Sequence, residues 1–180
     1  MTHVLCIGGT GMLLETTGWL DESFERVSAI ARDQLKVRGL VENHKSGFTF
    51  YKVNYQDTEK LINILKQILT RAPIDYVIAW IHSGTAPEAL PTVLNEVEQN
   101  QHSSFRLFHV KGSAHAIKKE TVLVPANCLY REVILGFQYD GTNSRWLTHS
   151  EISKGVIAAI QEDAESTTIG VLSPWEKRPS

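Results

Sequence analysis

Short apolar runs alternate along this chain with longer segments whose apolar residues recur every three or four positions. Val4–Ile7, Val27–Ala31, Phe48–Val53, Tyr76–Ile81, Phe105–Val110 and Tyr130–Phe137 read as strands. Tyr76–Ile81 is apolar throughout, as a strand buried on both faces of a parallel sheet should be. Between the runs, Met12–Leu20 suits a helix, and Leu61, Ile62, Leu65, Ile68 and Leu69 form one apolar stripe opened by Asp57 or Thr58 and stopped by Pro73. Thr85 and Glu88 have capping-box spacing, with Pro87 between them and Leu90, Val93, Leu94 and Val97 behind. Pro91 leaves two readings: a helix kinked there, or one that begins there. Thr148 and Glu151 form a second capping box ahead of Ile152, Val156, Ile157, Ala159 and Ile160. Lys111–Leu129 lacks periodicity and predicts a short helix or an extra strand at Thr121–Val124, while Ile169–Leu172 predicts an edge strand. The alternation specifies an α/β class with a mostly parallel sheet covered on both faces. Residues 1–172 form one domain in this reading, and 173–180 an irregular tail.

The first run stops at Gly8-Gly9-Thr10-Gly11 and a helical segment follows. Strand, glycine turn and helix open a dinucleotide-binding unit. The glycines allow a tight turn and a close backbone approach to a pyrophosphate, and the helix N-terminus offers unpaired donors and positive dipole. Gly8, Gly11 and Leu14 hold the three positions of a G-x-x-G-x-x-G pattern, so the third glycine is replaced. Leu14 predicts a wider or rotated helix approach. A phosphate-binding P-loop is excluded, since no Gly-Lys-Ser/Thr follows.

Composition narrows the function classes. The 180 residues carry a formal charge of −2, with neither the basic face that nucleic acids and membrane surfaces require nor an eighteen-residue apolar run. The N-terminus lacks the basic and apolar regions of a secretory signal. Cys6 and Cys128 are too isolated for a disulfide framework or a metal site, so a reducing cytoplasm is expected. The seven histidines show no His-x-x-x-His or His-Glu pairing, and no Gly-x-Ser-x-Gly elbow exists.

The glycine turn, followed in order by the ends of the second, third and fourth strands, resembles the short-chain dehydrogenase/reductase superfamily. That resemblance implies a three-layer, doubly wound Rossmann sheet of order 3-2-1-4-5-6, here with an extra edge strand. Gly8, Gly9, Thr10, Gly11 and Met12 correspond to the pyrophosphate loop, with backbone donors from Thr10, Gly11 and Met12. Arg32 follows strand two, where an acidic residue would bond an NAD ribose. Its guanidinium suits a 2′-phosphate, which favours NADP over NAD as cofactor. Asn54 and Tyr55 fall in the segment that contacts adenine, and His82 and Ser83 lie beside the ribose at the end of strand four, where only Gly84 matches the family pattern.

The family's catalytic Tyr-x-x-x-Lys pair is missing: none of Tyr51, Tyr55, Tyr76, Tyr130 or Tyr139 has a lysine four residues on. Ser113, just beyond strand five, matches the family serine by location. With Lys111, His115, Lys118 and Tyr130 it falls near the carboxyl-end crevice where such sheets bind ligands. Ser113, His115 and Tyr130 are the catalytic candidates. Two functions follow: an NADP(H)-dependent oxidoreductase acting on a small carbonyl or alcohol, or a non-catalytic NADP-binding sensor. Trp146 is expected to staple the entry of the capped helix. Trp175, too apolar to leave in water, predicts a tail that docks on its own domain or on a second subunit of a homodimer.

Overall fold

The computed structural model describes residues 1–33, 36, 38–39, 47–82 and 84–180. Its elements are β1 (His3–Ile7), α1 (Leu14–Ser23), β2 (Arg26–Ala31), β3 (Phe48–Lys52), α2 (Thr58–Arg71), β4 (Tyr76–Trp80), α3 (Ala89–Asn100) and β5 (Phe105–Gly112). There follow α4 (Ser113–Lys118), β6 (Cys128–Leu135), β7 (Phe137–Tyr139), β8 (Ser144–Trp146), α5 (His149–Glu162), β9 (Ser166–Ile169) and a 3-10 turn at Trp175–Lys177. Seven strands form one parallel sheet in the order β3-β2-β1-β4-β5-β6-β9. The reversal between β1 and β4 creates the crevice at the carboxyl ends where open α/β sheets take their ligands.

Two apolar layers flank the sheet. On one face Leu5, Ile7, Val77, Ala79 and Leu107 meet Leu61, Leu65 and Ile68 of α2 and Val93, Leu94 and Val97 of α3. On the other, Val4, Cys6, Ile78, Phe108 and Val133 meet Ile152, Val156, Ala159 and Ile160 of α5. Alternation along each strand produces both layers, since successive side chains point to opposite faces. Helix α1 differs: its buried positions include Thr16 and Thr17, whose hydroxyls bond the carbonyls of Ser153 (3.3 Å) and Gly9 (2.8 Å).

Side-chain caps set the starts of α2 and α5. The Asp57 carboxylate accepts from the Lys60 amide at 3.1 Å, so Asp57 is the cap of α2. The Thr148–Glu151 capping box is present in full, with amide–side-chain contacts of 3.1 and 2.8 Å. The residue before that cap is Leu147, which with Ile152 is buried in one cluster. Leu147 therefore makes the staple expected of Trp146. The Thr85–Glu88 box does not form: the Thr85 hydroxyl donates back to the His82 carbonyl at 3.1 Å, and α3 starts at Ala89 without a side-chain cap. Pro91 is its third residue, within the first turn, where a missing N–H leaves no helical bond unmade.

Three further expectations are settled. Of the two readings of Lys111–Leu129, the short helix is present as α4 and Thr121–Val124 forms no strand. The run Tyr130–Phe137 splits at Gly136, where an added Cβ would collide with the Val171 carbonyl oxygen; β6 ends at Leu135 and Phe137 opens the β7–β8 hairpin. The last strand lies earlier than Ile169–Leu172, because Gly170 at φ +75° turns the chain out of the sheet. The tail docks on its own domain, with the Arg178 Nε donating to Ser113 Oγ at 3.0 Å.

A buried amide replaces a strand partner near the base of the sheet. Gln101 accepts from the Ile74 amide at 2.8 Å and donates to the Ile74 carbonyl at 2.9 Å, closing a backbone-like pair. Gln101→Leu would leave both groups of a fully buried residue unbonded. A loss of about 2–3 kcal/mol in unfolding free energy is expected by urea titration; a change within 0.5 kcal/mol, taken as the size of an ordinary surface substitution, would contradict this role.

Candidate functional site

The loop Gly8–Met12 leaves β1 at the sheet's switch point, and its glycines serve different ends. Gly8 has φ +80°, and a Cβ there would strike the backbone oxygen of Trp80 on β4. Gly9 lies buried behind the loop, where a Cβ would collide with the Thr17 hydroxyl and approach Cys6 Sγ at 2.8 Å. Close contact between the loop and α1 thus depends on Gly9, and the Thr17 hydroxyl seals it by donating to the Gly9 carbonyl. Leu14, in place of the family's third glycine, is the first residue of α1. Gly11 has open space around its Cα, on the solvent side. Ser153 of α5 fixes the other side of the loop: its hydroxyl donates to the Met12 carbonyl at 2.8 Å and accepts from the Thr16 amide at 3.4 Å.

A groove of about 440 Å³ runs over this loop. Of the residues assigned to a cofactor from sequence, Gly8, Thr10, Gly11, Met12, Arg32, Tyr55 and His82 line it. Lys36, which the sequence reading passed over, lines it as well and adds a second cation near Arg32; Asp33 is also present. Gly9 supports the groove from behind. Asn54 does not line it: its side-chain oxygen Oδ1 accepts from the Gln56 amide at 3.1 Å and closes a local turn. Ser83 lies outside the described residues. The Tyr55 hydroxyl donates to the Ile30 carbonyl at 3.1 Å, and burial pushes its pKa up to about 12, so it stays a neutral wall. The open glycine edge, the positive φ at Gly8 and the two cations fit a dinucleotide phosphate chain with an additional phosphate.

A second cavity, about 380 Å³, adjoins the groove and shares Met12, Trp80 and His82 with it. Ile81, Val110, Val122, Leu135, Leu147 and Ile152 supply apolar walls. Ser113 and His115, two of the three catalytic candidates, line this space; Tyr130 does not. Ser113 is buried at the junction of β5 and α4, where it accepts from Arg178 Nε.

Tyr130 reaches the cavity through a neighbour. In register, Leu107, His109 and Lys111 of β5 pair with Tyr130, Glu132 and Ile134 of β6. Strand alternation puts all six on one face. The Tyr130 hydroxyl lies 2.9 Å from His109 Nδ1, and His109 lines the cavity. Lys111 Nζ pairs with Glu132 and lies 5.9 Å from the centre of the Tyr130 ring. Helix α4 is only six residues long. Burial, reinforced by the Lys111 charge, holds the His109 imidazole down to about 4, so it is neutral at pH 7. Burial pushes the Tyr130 phenol up, against the opposing pull of Lys111. His109 lies inside an apolar strand run, and no sequence motif marks it. Among the described residues no cluster of three His, Cys, Asp or Glu suits a metal ion, and no helix is long and apolar enough to cross a membrane.

No family model and no curated protein matches the chain. Solved structures do match it. Serine dehydrogenase from Escherichia coli is 12% identical over 94% of this chain and 97% of its own, with a TM-score of 0.65. An anaerobillin reductase from E. coli O157:H7 is 15% identical over 99% and 100%, at 0.63. A metagenomic short-chain oxidoreductase, solved in complex with NADP, is 11% identical over 94% and 96%, at 0.64. The fold is that of the short-chain dehydrogenase/reductases.

Proposed function

We propose that this chain is an NADP(H)-dependent oxidoreductase that reduces a small, mainly apolar carbonyl compound or oxidises the matching alcohol. One observation carries the reading: the groove over the glycine loop opens beside an apolar cavity that holds a buried serine, with Met12, Trp80 and His82 forming a common wall. The nicotinamide cofactor, when bound, supplies the hydride. Gly8, Thr10, Gly11 and Met12 would hold its phosphates, and Arg32 with Lys36 its 2′-phosphate.

The chain's own residues supply the rest. Ser113 Oγ accepts from Arg178, which leaves its O–H free to donate to a substrate oxygen. When the Tyr130 phenol donates to His109 Nδ1, the proton of the imidazole stays on Nε2. A proton passed from Nε2 to a nascent alkoxide is replaced at Nδ1 from Tyr130, and Lys111 steadies the phenolate left behind. Tyrosine and lysine would thus work on neighbouring strands, through a histidine, instead of one turn apart on a helix. Ser113 and His109 contact substrate in this scheme, Tyr130 recharges the relay, and His115 forms wall.

NADPH and NADH titration with a coenzyme-consumption screen over aldehydes and ketones tests the reading. Coenzyme binding with steady turnover is expected; binding that never leads to turnover would replace the enzyme with a redox sensor, and no binding would end both. Arg32→Ala should weaken NADPH about tenfold, roughly 1.4 kcal/mol, and leave NADH unchanged. Equal losses for both coenzymes would remove the arginine from phosphate recognition.

A further inference from the structure

We infer that the cavity beside Ser113 takes a substrate bearing a carboxylate on its apolar body, and that Arg178 receives that group. This rests on the proposed function only in treating the cavity as the substrate site. Arg178 comes from the tail, 65 positions along the chain from Ser113. Its guanidinium lies 4.8 Å from the centre of the Trp146 ring and 5.1 Å from that of Trp175, and its Nε donates to Ser113 Oγ. Three contacts therefore hold one cation at the cavity wall.

The charges around it are unequal. Lys111, the other lysine or arginine lining the cavity, is paired with Glu132. Glu120 is the carboxylate among the lining residues, and it makes no ion pair with Arg178. With Nε committed to Ser113, the two terminal nitrogens carry no hydrogen bond to any described residue. Aromatic faces attract a guanidinium and fix its plane without using its N–H donors. The result is a pre-oriented fork at the edge of apolar walls, which suits a planar carboxylate taken end-on. The Arg178–Ser113 bond adds a second consequence: the fork that seats the carboxylate also points the serine O–H away from itself, so substrate charge and reacting oxygen are set at a fixed separation.

Benzoate and its neutral isostere benzamide are suitable probes, titrated into the full chain with saturating NADPH while tryptophan fluorescence is followed. Benzoate should bind at least about tenfold more tightly, Arg178→Ala should abolish the preference, and Arg178→Lys should keep only part of it, because the planar fork is lost. Equal affinities, a preference that survives Arg178→Ala, or no benzoate binding at concentrations on the order of 10 mM would overturn the inference. NADPH affinity, measured separately, should be the same in all three proteins. If NADPH does not bind while benzoate still does so through Arg178, the coenzyme reading fails and the carboxylate site stands.

Discussion

Gly8→Ala should lose at least about a hundredfold in NADPH affinity and roughly 3 kcal/mol of stability. The backbone there sits at φ +80°, which side chains other than glycine adopt at a cost, and a Cβ would overlap the carbonyl oxygen of Trp80 in the central strand. Neither β1 nor β4 can yield, since both are buried in the middle of the sheet. The loop must therefore move, and with it the donors it presents. Gly11→Ala provides the contrast. Its added methyl meets no atom beyond its chain neighbours within 4 Å, so the melting temperature should hold while coenzyme affinity falls. Calorimetric unfolding and coenzyme titration on both variants would check this pair. A Gly8→Ala protein that melts normally and binds NADPH normally would remove the loop from coenzyme binding.

The largest effect on turnover is expected at His109. His109→Phe should lower kcat by two to four orders of magnitude, the usual worth of a positioned acid–base group, with NADPH affinity intact. Tyr130→Phe should lower it by about tenfold to a hundredfold, because Ser113 still donates while the relay is no longer refilled. The imidazole titrates near 4 in the folded chain, against 6.5 for an ordinary histidine. Activity should accordingly stay level from neutral pH down toward 5, without the inflection near 6.5 of an exposed catalytic histidine. Stability carries the same signature. A depressed histidine pKa means that the unfolded chain takes up the proton first. Its contribution is complete above about 6.5 and declines as pH falls toward 4. His109→Asn should flatten that decline. An unchanged kcat in His109→Phe, or a titration near 6.5 in the NMR spectrum, would dismiss the relay.

Local signals were legible in the sequence and distant ones were not. The stripe Leu61, Leu65 and Ile68 and the Thr148–Glu151 box depend on spacing within a few residues, and both appear as read. The turn at Gly8–Gly11 between β1 and α1 appears as read for the same reason. The β7–β8 hairpin was missed although Asp140 and Gly141 announce a turn. The Asp140 carboxylate accepts from the amides of Thr142 and Asn143, at 2.8 and 2.7 Å, but the apolar run from Tyr130 masked the break at Gly136. Thr85 misled in the opposite sense, since a capping pattern competes with an i to i−3 turn that the sequence does not rank. In the candidate site, Ser113 was singled out by its place after a strand, and it lines the cavity. Its contact with Arg178 spans 65 positions, and the His109–Tyr130 pair depends on strand register. Neither leaves a trace in local composition.

Met12, Trp80 and His82 belong to both chambers, and this has a kinetic meaning. Whatever settles in the groove over the glycine loop becomes part of the boundary of the cavity beside it. A substrate arriving first would meet an unfinished wall and leave quickly; one arriving second would be enclosed. If the proposed function holds, such a shared partition would impose a compulsory order, with the nucleotide first to enter and last to depart. Each turnover would then end on departure through the same opening, and release, more than chemistry, becomes the natural place for the rate to be set.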